Sequence, residues 1–351
     1  MKPLVSILIP AYNAQEWLAA SIQSALAQTW PRKEVVVVDD GSADQTLSIA
    51  RRFASTQLSV LTQQNQGAAA ARNKAFSICQ GDYIQWLDAD DLLAPDKIER
   101  QMEIVERCQN ERLLLSSAWG YFLHRPRKTE FIPSPLWCDL SPVEWLLCKM
   151  GQGLHMQTAT WLVSRVLTTS AGPWDVRLSL DDDGEYFCRV LMASQGTRFV
   201  PGSKVLYRMS GTANLSTVGC SDKKLESLFL SMDRHVSYLR SLEESERVRL
   251  VCVKYLNTWL PFFYQVRPDL VERLAQLAVE LGGRLEEPHL SWKYAWIKSL
   301  FGWTAAKQVQ IRYNNAKTSL KRTWDKLWFE REQINDSDGA EPRESKVRTA
   351  S

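Results

Sequence analysis

The sequence predicts an α/β fold: a mostly parallel central sheet flanked by helices, followed by a helical C-terminal extension. Three observations carry this. Apolar strand-like runs alternate with helical stretches over residues 4–109, polar clusters stand directly after several of those strands, and the pattern from about residue 222 onward is helical.

In order, the strand "LVSILIP" leads to a helix over residues 14–27, the strand "EVVVVDD" to a helix over 44–54, and the strand "LSVLT" to a short helix over 68–79. The strand "YIQWL" leads to a helix over 95–109. "RLLLSSA" and "GYFLH" read as two further strands, and "SPVEWLL" as a helix start, with Ser141 and Glu144 at capping-box spacing. "HMQTATWLVSR" reads as a strand, "LDDDGEYFCRVLMASQ" as a helix entered through acids, and "TRFVPGSKVLYRMS" as two short strands joined by a Pro-Gly turn. Pro261, Pro268 and the Gly282-Gly283 pair are expected to break the later helices.

With 351 residues, 45% hydrophobic and 24% charged, the composition is that of an ordinary soluble globular chain. A net charge of +3 is too mild to imply nucleic-acid binding. Seven cysteines without a C-x-x-C pair read as reduced thiols in a cytoplasmic setting. The apolar run near the N-terminus is bracketed by Pro3 and Pro10 and falls far short of the roughly 18 residues that cross a bilayer.

In open α/β sheets ligands gather outside the carboxyl ends of the strands. There the sequence crowds Asp88, Asp90 and Asp91 at the end of an apolar strand, where burial and mutual repulsion raise the cost of ionisation, so a cation is expected beside them. Asp88 and Asp90, two apart, can face the same way, and such carboxylates suit Mg²⁺ or Mn²⁺ bound together with a substrate diphosphate. A solvated turn or a helix cap through Asp91 or Asp96 is the plain alternative. An EF-hand is rejected, because Leu92 and Leu93 stand where it needs a ligand and a glycine.

Asp40 could accept from a base N–H or from ribose hydroxyls, with Gly41 allowing the turn, although Asp-Gly turns are common and Asp44 could cap a helix. Tyr12 could lie against a base or be structural. In "NQGAAAARNKA" the helix start and Arg72 could meet a phosphate, against the alternative of a surface arginine.

Taken together, "VSILIPAYNAQEWLAASIQSALAQTW", "EVVVVDDGSADQT", "NQGAAAARNKA" and "GDYIQWLDADDLLAPDKIE" closely resemble the nucleotide-sugar domain of family 2 glycosyltransferases, which have the GT-A fold. The resemblance covers roughly the first 110 residues. It implies that Pro10, Tyr12 and Asp40 contact the nucleoside, that Arg72 lies near the uracil or phosphates, that Asp88 touches ribose, and that Asp90 is the principal carboxylate ligand of a divalent metal. In "AGPWDVRLSLDDDGEYFCRVL" the spacing of Gly172, Trp174, Asp175 and Arg189 resembles the family's second motif, with Asp182 and Asp183 where Glu-Asp is usual. The resemblance makes Asp183 the general base and Asp182 its neighbour, with an ordinary acidic helix start as the alternative. His155 and Arg208 are either helpers at phosphate or metal, or structural.

The implied organisation is a nucleotide-sugar half over residues 1–110, an acceptor and catalytic-base half over 111–220, a Trp-rich basic helical extension over 221–333 and a disordered tail over 334–351. In the extension, Trp292, Trp296, Phe301 and Trp324 mix with Lys293, Lys298, Lys317 and Lys321, the chemistry of helices that lie on anionic membranes. Packing of this stripe on the catalytic core and a dimer interface are the alternatives; nucleic acid is not expected.

The expected activity is inverting, metal-dependent transfer of a sugar from a nucleotide donor, UDP-sugars first, to a hydroxyl of a saccharide, glycolipid or protein. The alternatives are a catalytically silent sugar- or head-group-binding relative and an aspartyl phosphatase, the second disfavoured because its Asp-x-Asp-x-Thr/Val motif is absent from the first strand.

Overall fold

The computed structural model describes residues 1–209, 221–289 and 291–338. Its first third follows the expected alternation: β1 (Val5–Ala11), α1 (Leu18–Leu26), β2 (Lys33–Asp39), α2 (Thr46–Arg52), β3 (Leu58–Thr62), α3 (Ala68–Ile78) and β4 (Tyr83–Trp86). Then come β5 (Leu92–Leu93), α4 (Lys97–Cys108), β6 (Leu114–Phe122), β7 (Glu130–Phe131), α5 (Pro142–Gln152), β8 (Val163–Ser164), α6 (Arg165–Ala171), α7 (Asp182–Ala193) and β9 (Thr197–Arg208). The C-terminal region is helical: α8 (Asp222–Leu242), α9 (Glu246–Trp259), α10 (Pro268–Glu280) and α11 (Ala295–Asp338).

The first sheet has the order β3-β2-β1-β4-β8, parallel from β3 through β4 and closed by antiparallel β8. Val35, Val36, Val37 and Val38 in β2 and Ile7, Leu8 and Ile9 in β1 are all buried. Each side chain so buried contributes about 1.5–3 kcal/mol of transfer free energy, which explains why these strands are apolar on both faces. Pro10 lies opposite Val38 and Ala11 opposite Asp39. Leu87 donates its backbone N–H to the Leu8 carbonyl at 3.0 Å, so the polar clusters after β1, β2 and β4 emerge along one edge.

The second sheet has the order β5-β9-β6-β7, with β9 and β6 parallel. The structure differs from expectation at three strands, two in this sheet and one in the first. "RLLLSSA" and "GYFLH" form the single strand β6, because Trp119 and Gly120 keep pairing across the proposed break. The Pro-Gly turn is a bulge inside one strand, with Val200 opposite Ser117 and Lys204 opposite Ala118. "HMQTATWLVSR" holds a 3-10 turn over Thr158–Thr160 and only the two-residue β8, its polar residues being drawn into side-chain bonds described below.

Half of the expected capping box forms at α5: the Ser141 hydroxyl accepts from the Glu144 backbone N–H at 3.3 Å, while the Glu144 carboxylate turns away to pair with Arg247 Nη1 at 2.8 Å. Ser141→Ala is expected to cost about 1 kcal/mol, read as a lowered urea midpoint at unchanged slope.

Cys79, Cys108, Cys138, Cys148, Cys188 and Cys252 are free thiols, and Cys220 lies outside the described residues. α11 kinks at Gly302, whose φ is 82°, and runs past residue 334 to Asp338, while residues 339–351 lie outside the described part. Trp303 and Ala306 of α11 are buried, Trp303 meeting Tyr264 edge-on with ring centres 5.2 Å apart. Trp292, Trp296 and Trp324 are exposed, so only part of the Trp-rich stripe packs on the body. Among the described residues no helix is long and apolar enough to cross a membrane.

Candidate active site

At the ends of β1 and β2, Pro10 is buried within the sheet and Tyr12 stands 52% exposed. The two loops are tied together: the Asn13 N–H donates to Ser42 Oγ at 3.0 Å, and the Ala43 N–H donates to Asn13 Oδ1 at 2.9 Å. Asp40 is buried, and its carboxylate accepts from Gln63 Nε2 at 2.7 Å, the Gln66 N–H at 3.0 Å and the Gly67 N–H at 2.8 Å. With three of roughly four acceptor positions engaged, Asp40 fixes the turn that starts α3 and keeps about one position for a ligand. Gly41 has φ 72°, and a Cβ there would stand 2.8 Å from the Asn65 nitrogen, so both backbone and space require glycine. Its neighbour Asp39 is buried with Oδ1 lacking a partner, while Oδ2 accepts from Thr62 Oγ1 at 3.2 Å.

Arg72 joins the two halves of the site. It is buried, not a surface arginine; Nη2 donates to Asp88 Oδ1 at 2.8 Å and Nη1 to Asp182 Oδ2 at 2.7 Å, across 110 residues of sequence. Its guanidinium lies 4.3 Å from the centre of the Trp174 ring, which stacks on Tyr186 at 4.0 Å. Asn73 clamps Trp174 in place, donating to its carbonyl at 2.9 Å and accepting from its N–H at 2.8 Å. Burial works against the Arg72 charge, but Asp182 and then Asp88 more than offset this and raise its pKa.

Asp91 faces inward. It is fully buried, accepts from the Arg208 N–H at 2.8 Å and from Gln157 Nε2, and is held well above the usual carboxylate range by burial and then by Asp90 and Asp88. Arg208 Nε donates to the Asp90 carbonyl at 2.8 Å, and its guanidinium lies 4.2 Å from the Trp17 ring centre and 4.4 Å from that of Phe122. Burial lowers the Arg208 pKa to about 10. Part of the cation expected beside the aspartates is therefore the chain's own Arg72 and Arg208 rather than metal alone.

The residues fit a divalent ion of the magnesium or manganese class. Asp88 is 28% exposed, Asp90 is partly exposed two residues on, and both offer hard oxygen donors. Among the described residues no group of three or more His, Cys, Asp or Glu could cage a metal unaided. One or two carboxylates completed by substrate oxygens is how such ions usually bind.

Asp181, Asp182 and Asp183 have three different surroundings. Asp181 has φ 58°, accepts from Ser231 Oγ, and lies 3.7 Å from Nδ1 of the fully buried His235, whose pKa burial lowers to about 3. A Cβ on Gly184 would lie 2.0 Å from Asp181 Oδ1, so the glycine makes room for that bend. Asp182 pairs with Arg72, and burial pushes its carboxyl up to about 6 even though Arg72 pulls it down. Asp183 accepts from Thr158 Oγ1 at 3.2 Å and from the Gly184 N–H at 2.9 Å.

The Asp182 value carries a pH signature. An acid raised in the fold favours folding while protonated and loses that contribution as pH rises from about 4, the ordinary value, through about 6. A carboxyl ¹³C resonance titrating near pH 6 in the unliganded protein, absent in Asp182→Asn, is the expected result.

Sequence reasoning missed Gln157 and Thr158, which reach Asp91 and Asp183. The available signal was the polar pair in "QTAT" amid apolar neighbours, obscured by reading the segment as a strand. His155 sits beside the aromatic residues of β6, its Nε2 3.5 Å from the Tyr121 hydroxyl and its ring 4.9 Å from Trp119. A groove of about 630 Å³ lined by Ala20, Leu93, Phe131 and Lys204 contains none of the predicted site residues.

Residues 6–111 match the model of the glycosyl transferase family 2 domain. These residues form a glycosyltransferase family 2 domain. An uncharacterized glycosyltransferase of Rickettsia typhi is 29% identical over 192 residues, 55% of this chain and 60% of that one. The chondroitin synthase of Escherichia coli is 44% identical over 99 residues, 28% of this chain and 14% of that one. The chain thus spans 60% or less of the length of these relatives. Among solved structures, S. aureus TarS residues 1–349 in complex with UDP-GlcNAc has a TM-score of 0.61 at 16% identity, covering 79% of this chain and 83% of that one. That likeness establishes the GT-A fold.

Proposed function

We propose that this glycosyltransferase moves a sugar, with inversion, from a UDP-sugar to an acceptor hydroxyl in cell-surface polysaccharide or glycolipid synthesis. The observation that carries the reading is the Arg72 bridge, which brings the carboxylates after β4 and those opening α7 to one site. Support for the donor comes from TarS, solved with UDP-GlcNAc, and for the acceptor class from the chondroitin synthase relative.

In this reading Pro10, Tyr12 and Asp40 hold the nucleoside, Asp88 the ribose and Arg72 the phosphates, with Arg72 exchanging one carboxylate partner for the donor. Asp90 would ligate the divalent ion, which when bound supplies positive charge to the departing diphosphate. Asp183 takes the acceptor proton while the hydroxyl oxygen attacks the anomeric carbon, and the bond from that carbon to the diphosphate oxygen breaks. Thr158 orients Asp183 and Asp182 stays paired with Arg72. Residues 1–110 form the donor half and 111–220 the acceptor half. The reduced thiols favour the cytoplasm, and the basic, Trp-rich C-terminal helix favours work on its membrane surface.

A panel of nucleotide sugars with Mg²⁺, with Mn²⁺ and with EDTA, scored by thermal stabilisation and donor hydrolysis, tests this directly. A UDP-sugar at about 100 times its Kd should stabilise the fold by about 2.7 kcal/mol, dependent on the ion. No stabilisation by any nucleotide sugar would remove the reading.

A further inference from the structure

We propose that one solvent-facing stripe of α11 docks the protein onto membrane rich in anionic phospholipid. Val309, Tyr313, Leu320, Trp324 and Leu327 recur at helical spacing and are 42%, 62%, 66%, 65% and 57% exposed. Soluble helices bury such a stripe; here it faces away from the body.

The opposite side of the helix is the one that is held. Asp325 accepts from the His124 N–H at 2.8 Å and pairs with Arg125 Nε at 2.8 Å. Glu332 pairs with Arg125 Nη1 at 3.0 Å, and Phe329 lies 6.2 Å from the His124 ring. At 3.6 residues per turn these anchors lie roughly 150° around the helix from the centre of the stripe. The latch therefore turns the apolar face outward.

Charge selects the occupant. From residue 291 to 324 there are seven Lys or Arg and no Asp or Glu. Lys317 and Lys321 border the stripe on one side and Arg312 on the other. Two copies pairing stripe to stripe would bring these like-charged rows together, whereas an anionic leaflet attracts them and accepts the indole and leucine side chains at its head-group boundary. Exposed Trp292 and Trp296, ahead of the Gly302 kink, extend the same chemistry.

The proposal rests on the membrane-surface reading given above, and it does not depend on sugar transfer. The test is flotation of the full chain with vesicles of phosphatidylcholine alone and of phosphatidylcholine mixed with phosphatidylglycerol, alongside calorimetry of UDP with Mn²⁺. The protein should float with the anionic vesicles only, and salt of about 0.5 M should weaken this. Lys317→Glu with Lys321→Glu, and separately Leu320→Ser with Trp324→Ser, should each lower the partition on the order of 100-fold at unchanged melting temperature and unchanged UDP binding.

Absence of binding to anionic vesicles, equal binding to neutral ones, or unchanged binding in both variants would overturn it. So would a two-chain mass in light scattering that reverts to one chain with Leu320→Ser and Trp324→Ser, since that assigns the stripe to a second copy. A parent that floats yet binds no UDP would leave the docking intact and count only against the transferase reading.

Discussion

Asp183→Asn is expected to lower sugar transfer by about 10²–10⁴-fold while leaving UDP-sugar binding within a few-fold of the parent, measured by product formation and by calorimetry on the same preparation. Asparagine keeps the size and the hydrogen-bond acceptor that meets Thr158 Oγ1 at 3.2 Å, but it cannot take a proton. The matching Asp182→Asn change should act differently, because Asp182 is committed to Arg72 at 2.7 Å and its removal loosens the bridge between the two halves. Equal transfer rates for Asp183→Asn and the parent would remove Asp183 from the base position.

Arg72→Met should destabilise the fold by about 3–5 kcal/mol, because it leaves two carboxylates without their shared cation in a largely desolvated place. Arg72 is 5% exposed, and the Asp182 and Asp88 side chains are 18% and 28% exposed, so water screens the loss only in part. Arg72→Lys should recover only part of the stability, since an ammonium lacks the planar fork that meets Asp88 and Asp182 together and lies over Trp174. Adding Asp182→Asn to Arg72→Met should restore some of the loss, and urea unfolding of the four proteins measures the coupling. Additive effects would mean that the bridge carries no such energy.

Much of the fold was legible because it is written in local pattern. The β-branched run before Asp39, the alternation of strands and helices, and the Ser141 helix cap each depend on residues close in sequence, and each formed. Misreadings came where tertiary contacts decide. Gln157 and Thr158 leave an extended path to reach Asp91 and Asp183, which no periodicity encodes. β6 continues through Gly120 because β9 runs beside it, a neighbour more than eighty residues away in sequence.

The site was legible as residue types and illegible as pairings. Asp88, Asp182 and Arg72 could each be selected from motif and position, yet the link between them spans 110 residues. Asp91 is instructive in the same way: in sequence it is a third acid in a row, and in space it turns inward to bind Gln157 and the Arg208 backbone.

The strand order of the second sheet carries a consequence for synthesis. β5 and β6 lie on either side of β9, which leaves the ribosome after both of them, and Arg208 at its end is the residue that clamps Asp90 and Asp91. At about 5–20 residues per second, the nascent polypeptide exposes that acidic turn for on the order of ten seconds before its clamp emerges. Over that interval the parallel first sheet can consolidate while the turn stays pliable, so truncated or stalled chains should carry a formed sheet and an unset acidic turn.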